Sequence, residues 1–133
     1  MRQETMADHP NAQIIRDAAA RMEEGGDLKS LLDLLTDDVV WHEIGSDEPI
    51  HGKAAVAARW ESMPTDGGLT AQTHDVLAND EHAIQLVTAT VSMGDKSITY
   101  RTAEIYHMRD GKISERWAFS DDTDRINRFF SGM

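Results

Sequence analysis

Apolar residues in the first third of the chain recur at helical spacing. Ile14, Ala18 and Met22 form one stripe with Ile15 and Ala19 beside it, so a helix starting near Pro10 has one apolar face. Pro10 suits a first helical turn, and Asp8 or His9 can cap it from just outside. Gly25-Gly26 stops the pattern. Asp27 then caps a second helix, in which Leu28, Leu31, Leu32 and Leu35 follow the i, i+3, i+4, i+7 rule. From Asp37 the period changes: Asp37–Gly45 (DDVVWHEIG) is rich in β-branched and aromatic residues and reads as the first strand. Ser46–Gly52 reads as a loop marked by Pro49 and Gly52. Lys53–Met63 reads as a short helix with Val56 and Trp60 on one face, ended by Pro64, with a further break at Asp66-Gly67-Gly68.

Strands fill the second half. Leu69–Leu77 and His82–Met93 flank a turn at Asn79-Asp80, and Gly94-Asp95 leads into a long hairpin. Its arms, Lys96–Arg109 and Lys112–Ser120, meet at Asp110-Gly111, a dipeptide that adopts the positive φ angles of a tight hairpin turn. Asp121-Asp122-Thr123 can cap a last helical turn carrying Ile126, Phe129 and Phe130. The order is α-α-β-α-β-β-β-β. It predicts a single α+β domain over residues 1–133, with residues 1–9 as a flexible lead and a curved, mostly antiparallel sheet covered by the helices.

Composition narrows the partners. The chain has 133 residues, 13 Lys plus Arg against 24 Asp plus Glu, and a formal net charge of -11. That charge repels phosphate backbones and anionic lipid, so neither nucleic acid nor a membrane surface is expected as a partner. Cysteine is absent, and neither an apolar leader nor a membrane-length apolar run is present, which gives the expectation of a soluble, cytoplasmic protein. The six histidines are scattered without chelating spacing, and no phosphate-binding, nucleophile-elbow or calcium-loop pattern occurs; no metal and no cofactor is expected.

The element order, the Gly26-Asp27-Leu28 entry to the second helix, TDDVVWHEIG, the His51-Gly52-Lys53 entry to the short helix and the DGKISERW turn together resemble the SnoaL-like branch of the nuclear-transport-factor-2-like superfamily. The resemblance runs from about Ala12 to Phe130 and is shared with ketosteroid isomerases, polyketide cyclases and limonene epoxide hydrolases. It implies a cone-shaped, cystatin-like roll: the sheet curls round the helices, encloses an apolar pocket, and pairs through its outer face in a homodimer. It further implies that the isomerase base falls on Glu43, its second carboxyl near Glu104, and its first-helix tyrosine on Ala19. The acid of the hydrolases and cyclases falls near Ala118. Neither alanine can supply the missing group.

Strand alternation sorts the remaining candidates. Trp41 and Glu43 share one face, with Val40, His42 and Ile44 on the other; Tyr100, Thr102, Glu104, Tyr106 and Met108 share a face of the hairpin. Turned inward, these sets place two carboxyl groups in a cavity with Trp41, Tyr106 and Met108, where burial and repulsion would drive their pKa values apart. The alternatives are that Glu104 meets solvent or pairs with Arg101, Arg109 or Arg116. Ser114, Arg116, Ala118 and Ser120 form the next inward set, and Ile113, Glu115, Trp117 and Phe119 the outward one. Arg116 then binds a substrate carboxylate or pairs with Glu43 or Glu104. Trp117 and Phe119 provide the dimer face. Asp121 either sits at the cavity mouth as a base or caps the last helix.

The expected function is a cofactor-independent acid–base enzyme acting on a small hydrophobic carbonyl-type molecule by isomerase-like proton transfer. Glu43 is the base, Glu104 or Tyr106 stabilises the oxyanion, and Trp41, Trp60, Met108, Arg116 and Asp121 bind the ligand. The alternatives are a non-catalytic binding or interaction domain using the same pocket, and a structural dimer with a filled cone.

Overall fold

The computed structural model describes residues 9–24, 28–62 and 69–131. Helix α1 (Pro10–Glu23) starts as the sequence requires: Pro10 lies in its first turn, and the Asn11 amide donates to His9 Nδ1 at 3.1 Å. Its inner face buries Ala12, Ile15 and Ala18. The other possible cap at Asp8, the stop at Gly25-Gly26 and the cap at Asp27 lie outside the described residues.

Leu28–Leu34 forms a 3-10 helix and not the expected α-helix. It is seven residues long and runs directly into strand β1 (Leu35–Trp41), so Leu35 opens a strand instead of closing a helix. At three residues per turn Leu31 and Leu34 share a face, and both border the internal cavity. Strand β1 ends at Trp41, short of the expected Gly45, because the chain turns at Ile44-Gly45. The segment read as a loop contains a two-residue strand, β2 (Ile50–His51), paired antiparallel to β1. So short a strand leaves no periodicity to read. Helix α2 (Lys53–Glu61) follows; its predicted stop at Met63-Pro64 and the break at Asp66-Gly67-Gly68 lie outside the described residues.

Strands β3 (Leu69–Ala78), β4 (His82–Met93), β5 (Lys96–Arg109) and β6 (Lys112–Ser120) then form a meander. Helix α3 (Thr123–Ser131) closes the described chain, capped by Asp122, whose Oδ1 accepts from the Arg125 amide at 3.0 Å. The six strands lie in the order β2-β1-β6-β5-β4-β3. All neighbours are antiparallel except β1 and β6, which run parallel.

Register determines which side chains meet. On the inner face Trp41, Arg116, Tyr106 and Ala83 lie directly across from one another on four strands. The neighbouring inner row is Ala118, Glu104, Gln85 and Val76. On the outer face Leu77, Ile84, Ile105 and Trp117 form one row, and Leu86, Ala103 and Phe119 the next. A bulge modifies this pattern. His107 faces Glu115 but Met108 faces Ile113, leaving Ser114 as an extra residue on β6. Ile113 is therefore buried on the inner side, not outside with Glu115, Trp117 and Phe119 as strict alternation predicted. His42 does lie outside, stacked on Trp117 with centroids 5.3 Å apart and bonded through Nε2 to Glu115 at 2.8 Å.

Two apolar clusters hold the sheet to its cover. One joins Ile15 of α1, Leu35 and Val39 of β1, Val56 of α2, and Tyr106 and Met108 of β5. The other joins Val91, Met93 and Ile98 to Ile126 of α3, with Ile44, Tyr100, Phe129 and Phe130 packed against it. Among the described residues, no helix is long and apolar enough to cross a membrane.

The hairpin turn has φ of 54° at Asp110 and 78° at Gly111, the pair of left-handed values a type I′ turn requires. A methyl group on Gly111 would meet only Ile14 Cδ1 at an ordinary 3.6 Å. Gly111→Ala is therefore expected to destabilise through the backbone alone, by about 1–2 kcal/mol, read from the urea midpoint at unchanged slope.

Candidate functional site

Between α1, the 3-10 helix, α2, α3 and the inner sheet face lies a cavity of about 550 Å³. Helix α1 supplies Ala18, Ala19 and Met22 to its wall, and Trp41 and Trp60 meet edge-to-face at 5.3 Å beside it. Val56, one turn before Trp60, is fully buried and anchors α2 so that Trp60 faces inward.

The floor is polar and fully connected. Arg116 lies with its guanidinium carbon 4.5 Å from the centroid of Trp41. Its Nη1 donates to the His42 carbonyl at 2.8 Å, and its Nη2 and Nε donate to Glu104 Oε1 at 3.1 and 3.4 Å. Thr102 donates to the other Glu104 oxygen at 3.2 Å. The Tyr106 hydroxyl is 2.7 Å from Gln85 Oε1 and 3.2 Å from Glu104 Oε1. A phenol has a single hydrogen, so the shorter contact to Gln85 takes it. Gln85 passes the chain on, donating to Thr73 at 2.8 Å. Near the chain turn that follows β1, Glu43 Oε2 accepts from Arg59 Nε at 2.9 Å. Glu43 Oε1 has no protein partner among the described residues.

Two phenols are perturbed. Burial pushes Tyr106 well above its ordinary value of 10.0; the neighbouring Glu104 charge adds to this and Arg116 opposes it. Tyr100 is also raised, first by burial and then by Glu104, again opposed by Arg116. Both are neutral hydroxyls at neutral pH.

Trp41, Glu43, Trp60, Glu104, Tyr106 and Arg116 thus border one cavity. Two expected members do not. Met108 lies two residues beyond Tyr106 toward the hairpin turn, where it is buried with its register partner Ile113 in the core cluster under Ala12 and Ile15 of α1. Asp121 is exposed: beyond the end of β6 it continues the ladder to β5, its amide donating to the Arg101 carbonyl and its carboxylate accepting from the Arg101 amide, both at 3.2 Å. The cap belongs to Asp122 instead.

The expected pair of mutually repelling carboxylates is replaced by two ion pairs, Glu104 with Arg116 and Glu43 with Arg59. Ile44 lines the cavity, against the alternation that sent it outward, because the strand has already ended. Sequence reasoning also missed Arg59, Gln85 and Tyr100. Tyr100 was visible on the correct strand face; nothing in the local pattern marked Arg59, whose role depends on where α2 docks.

A family model for the SnoaL-like domain matches residues 15–116. The chain belongs to the SnoaL-like domain family. Among curated proteins none matches it. Solved structures share the fold. Bal32a, from a soil-derived mobile gene cassette, is 22% identical with a TM-score of 0.78 over 90% of this chain and 95% of its own. A protein of unknown function with a cystatin-like fold from Xanthomonas campestris is 20% identical at a TM-score of 0.78, covering 90% and 96%. An LEH-like epoxide hydrolase of M. tuberculosis is 18% identical at 0.72, covering 92% and 91%. At these identities the likeness is one of fold: three helices over a curved, mostly antiparallel six-stranded sheet.

In this SnoaL-like site the Arg116–Glu104 pair is the most buried ion pair among those described, with side chains 11% and 19% exposed. Arg116→Met strands the Glu104 carboxylate and is expected to cost about 3 kcal/mol. Adding Glu104→Gln removes the stranded charge and recovers most of that loss. Denaturant unfolding of the single and double variants checks both.

Proposed function

We propose that this SnoaL-like domain is a cofactor-independent acid–base enzyme that moves a proton on a small hydrophobic carbonyl compound, with Glu43 as its base. The observation that carries this reading is the Glu43 carboxylate on the cavity wall, with Oε2 held by Arg59 and Oε1 without a protein partner among the described residues. Fixing one oxygen limits rotation of the group and leaves the other to accept a proton from a carbon acid. The cavity volume lies within the range of about 300–1,000 Å³ usual for small-molecule sites.

Abstraction of a proton α to a carbonyl breaks a C–H bond and moves its electron pair toward the carbonyl oxygen. The positive charge of Arg116 on the cavity floor favours that movement electrostatically. Of its guanidinium N–H groups, the Nε hydrogen and one on each terminal nitrogen have protein acceptors, and the other on each terminal nitrogen has none among the described residues. Glu43, Glu104, Arg59 and Arg116 sum to zero formal charge. Transfer of a proton from substrate to Glu43 leaves the total charge of site plus substrate unchanged, so no charge enters or leaves the chamber. Return of the proton to a different carbon completes an isomerisation. In this reading Glu104 and Tyr106 orient Arg116 and stiffen the floor, and neither meets the substrate oxygen directly.

The probe is 2-acetonaphthone in deuterium oxide, with exchange of its methyl protons followed by NMR. Wild type is expected to accelerate exchange, and Glu43→Gln to reduce that acceleration ~10²-fold. Equal acceleration by the variant removes Glu43 as base. A wild type that binds the ketone and does not exchange it supports the second reading, a binding-only pocket. That reading is favoured by Ala19, which lines the cavity where the resemblance implies a phenol.

We further propose that a second copy covers the outer sheet face. Phe119 is 60% exposed there, and Leu77, Ile84 and Leu86 are exposed beside it in two adjoining apolar rows. Wild type is expected to sediment as a dimer and Phe119→Glu as a monomer at equal concentration. A monomeric wild type at tens of micromolar would discard the interface.

A further inference from the structure

We propose that Tyr100 donates the hydrogen bond that fixes the substrate's carbonyl oxygen, making it a catalytic residue that the sequence reading did not name. The inference rests on the proton-transfer reading of the same cavity and deepens it to ketones and enones, whose carbonyl oxygen accepts a hydrogen bond from a neutral phenol.

The chain has two tyrosines. Tyr106 spends its hydrogen on Gln85. Tyr100 borders the cavity, and its hydroxyl has no protein partner among the described residues. The register gives it room. Tyr100 lies opposite Ala89, which lies opposite Ala71, so small side chains flank the phenol across β4 and β3. On the other side β6 has already ended, with Ser120 opposite Thr102. The ring itself is held, packed against the cluster of Val91, Met93, Ile98 and Ile126. A held ring presents its hydroxyl with little rotamer freedom left to lose on binding.

Base and donor line the same cavity: Glu43 and Tyr100 both border it, and Ile44, next to Glu43 in sequence, packs against the same cluster as Tyr100. When Glu43 takes the proton, the C–H pair becomes the enolate double bond and the carbonyl π pair moves to oxygen. That oxygen then accepts a stronger hydrogen bond from Tyr100, which retains its proton throughout. Burial and the Glu104 charge keep the phenol protonated at neutral pH. The donor thus strengthens its bond as charge develops, which is the condition for lowering a barrier instead of merely tightening binding.

The test compares 2-acetonaphthone with 2-isopropenylnaphthalene, which has the same shape and no carbonyl oxygen. Wild type is expected to bind the ketone about ten-fold more tightly than the hydrocarbon, and Tyr100→Phe to bind the two within about two-fold of each other while its hydrocarbon affinity stays at the wild-type value. A Tyr100→Phe variant that keeps the ten-fold preference overturns the assignment, as does a wild type that shows none or binds neither compound. If the variant fails to fold, judged by circular dichroism, the wild-type Tyr100 Cζ resonance decides. The ketone is expected to shift it and the hydrocarbon is not; no difference overturns the assignment. Glu43→Gln separates the two claims. It is expected to retain the ketone preference whatever its exchange rate, so loss of exchange concerns the base, and loss of preference in Tyr100→Phe concerns the donor.

Discussion

Everything on the inner face of this sheet is arranged around one buried cation. Arg116 cannot be withdrawn from water without partners, and the fold supplies three kinds: the Glu104 carboxylate, the His42 carbonyl and the Trp41 ring. Glu104 comes from β5, Trp41 ends β1 and His42 follows it directly, and register sets them opposite or diagonal to Arg116. The parallel contact of β1 with β6 is what delivers both Trp41 and the His42 carbonyl. Glu104 in turn accepts from Thr102, while Tyr106 beside it donates to Gln85, through which the network reaches β3. Satisfying one guanidinium thus orders a polar layer four strands wide beneath an otherwise apolar chamber.

The sheet also sorts two surfaces with opposite characters. Inward rows mix charged, aromatic and small residues and leave open volume. Outward rows leave Leu77, Ile84, Leu86 and Phe119 exposed, with Trp117 among them covered by the stacked His42 ring. Pleating makes this separation automatic, since successive side chains must take opposite faces. A chemical site on one side and a contact surface on the other can therefore be modified independently by substitutions one residue apart, as at His42 and Glu43.

Much of this was legible in the chain. Both arms of the long hairpin were given their observed ends by the Asp110-Gly111 turn and the β-rich flanks, and α1 by Pro10 and its apolar stripe. Period-two alternation correctly turned Glu43, Glu104, Tyr106 and Arg116 toward one space. The errors share a cause, which is that alternation holds only while the ladder is regular. It failed at Ile113, where an extra residue enters β6, and at Ile44, where the strand had already ended. It could not show that Asp121 is drawn back to the Arg101 backbone. The sequence offered Arg116 as a partner for Glu104, which the structure shows, but not Arg59 for Glu43, because Arg59 reaches it from a helix whose docking angle no local pattern encodes. The second helix misled for a related reason: four leucines satisfy a 3.6-residue spacing on paper, but a seven-residue connector entering a strand takes the tighter winding.

The extra residue at Ser114 constrains how this strand can change over time. Between the hairpin turn and Arg116 the chain carries one residue more than its partner needs. Removing Ser114 would leave Ile113 opposite Met108 and Arg116 opposite Tyr106, so the ladder would close into a regular one with the guanidinium still facing the chamber. A deletion just after Arg116 has no surplus to absorb it and would turn the later side chains of the strand to the opposite face. The stretch before Arg116 can therefore lose a residue over time, whereas the stretch after it is held to its length.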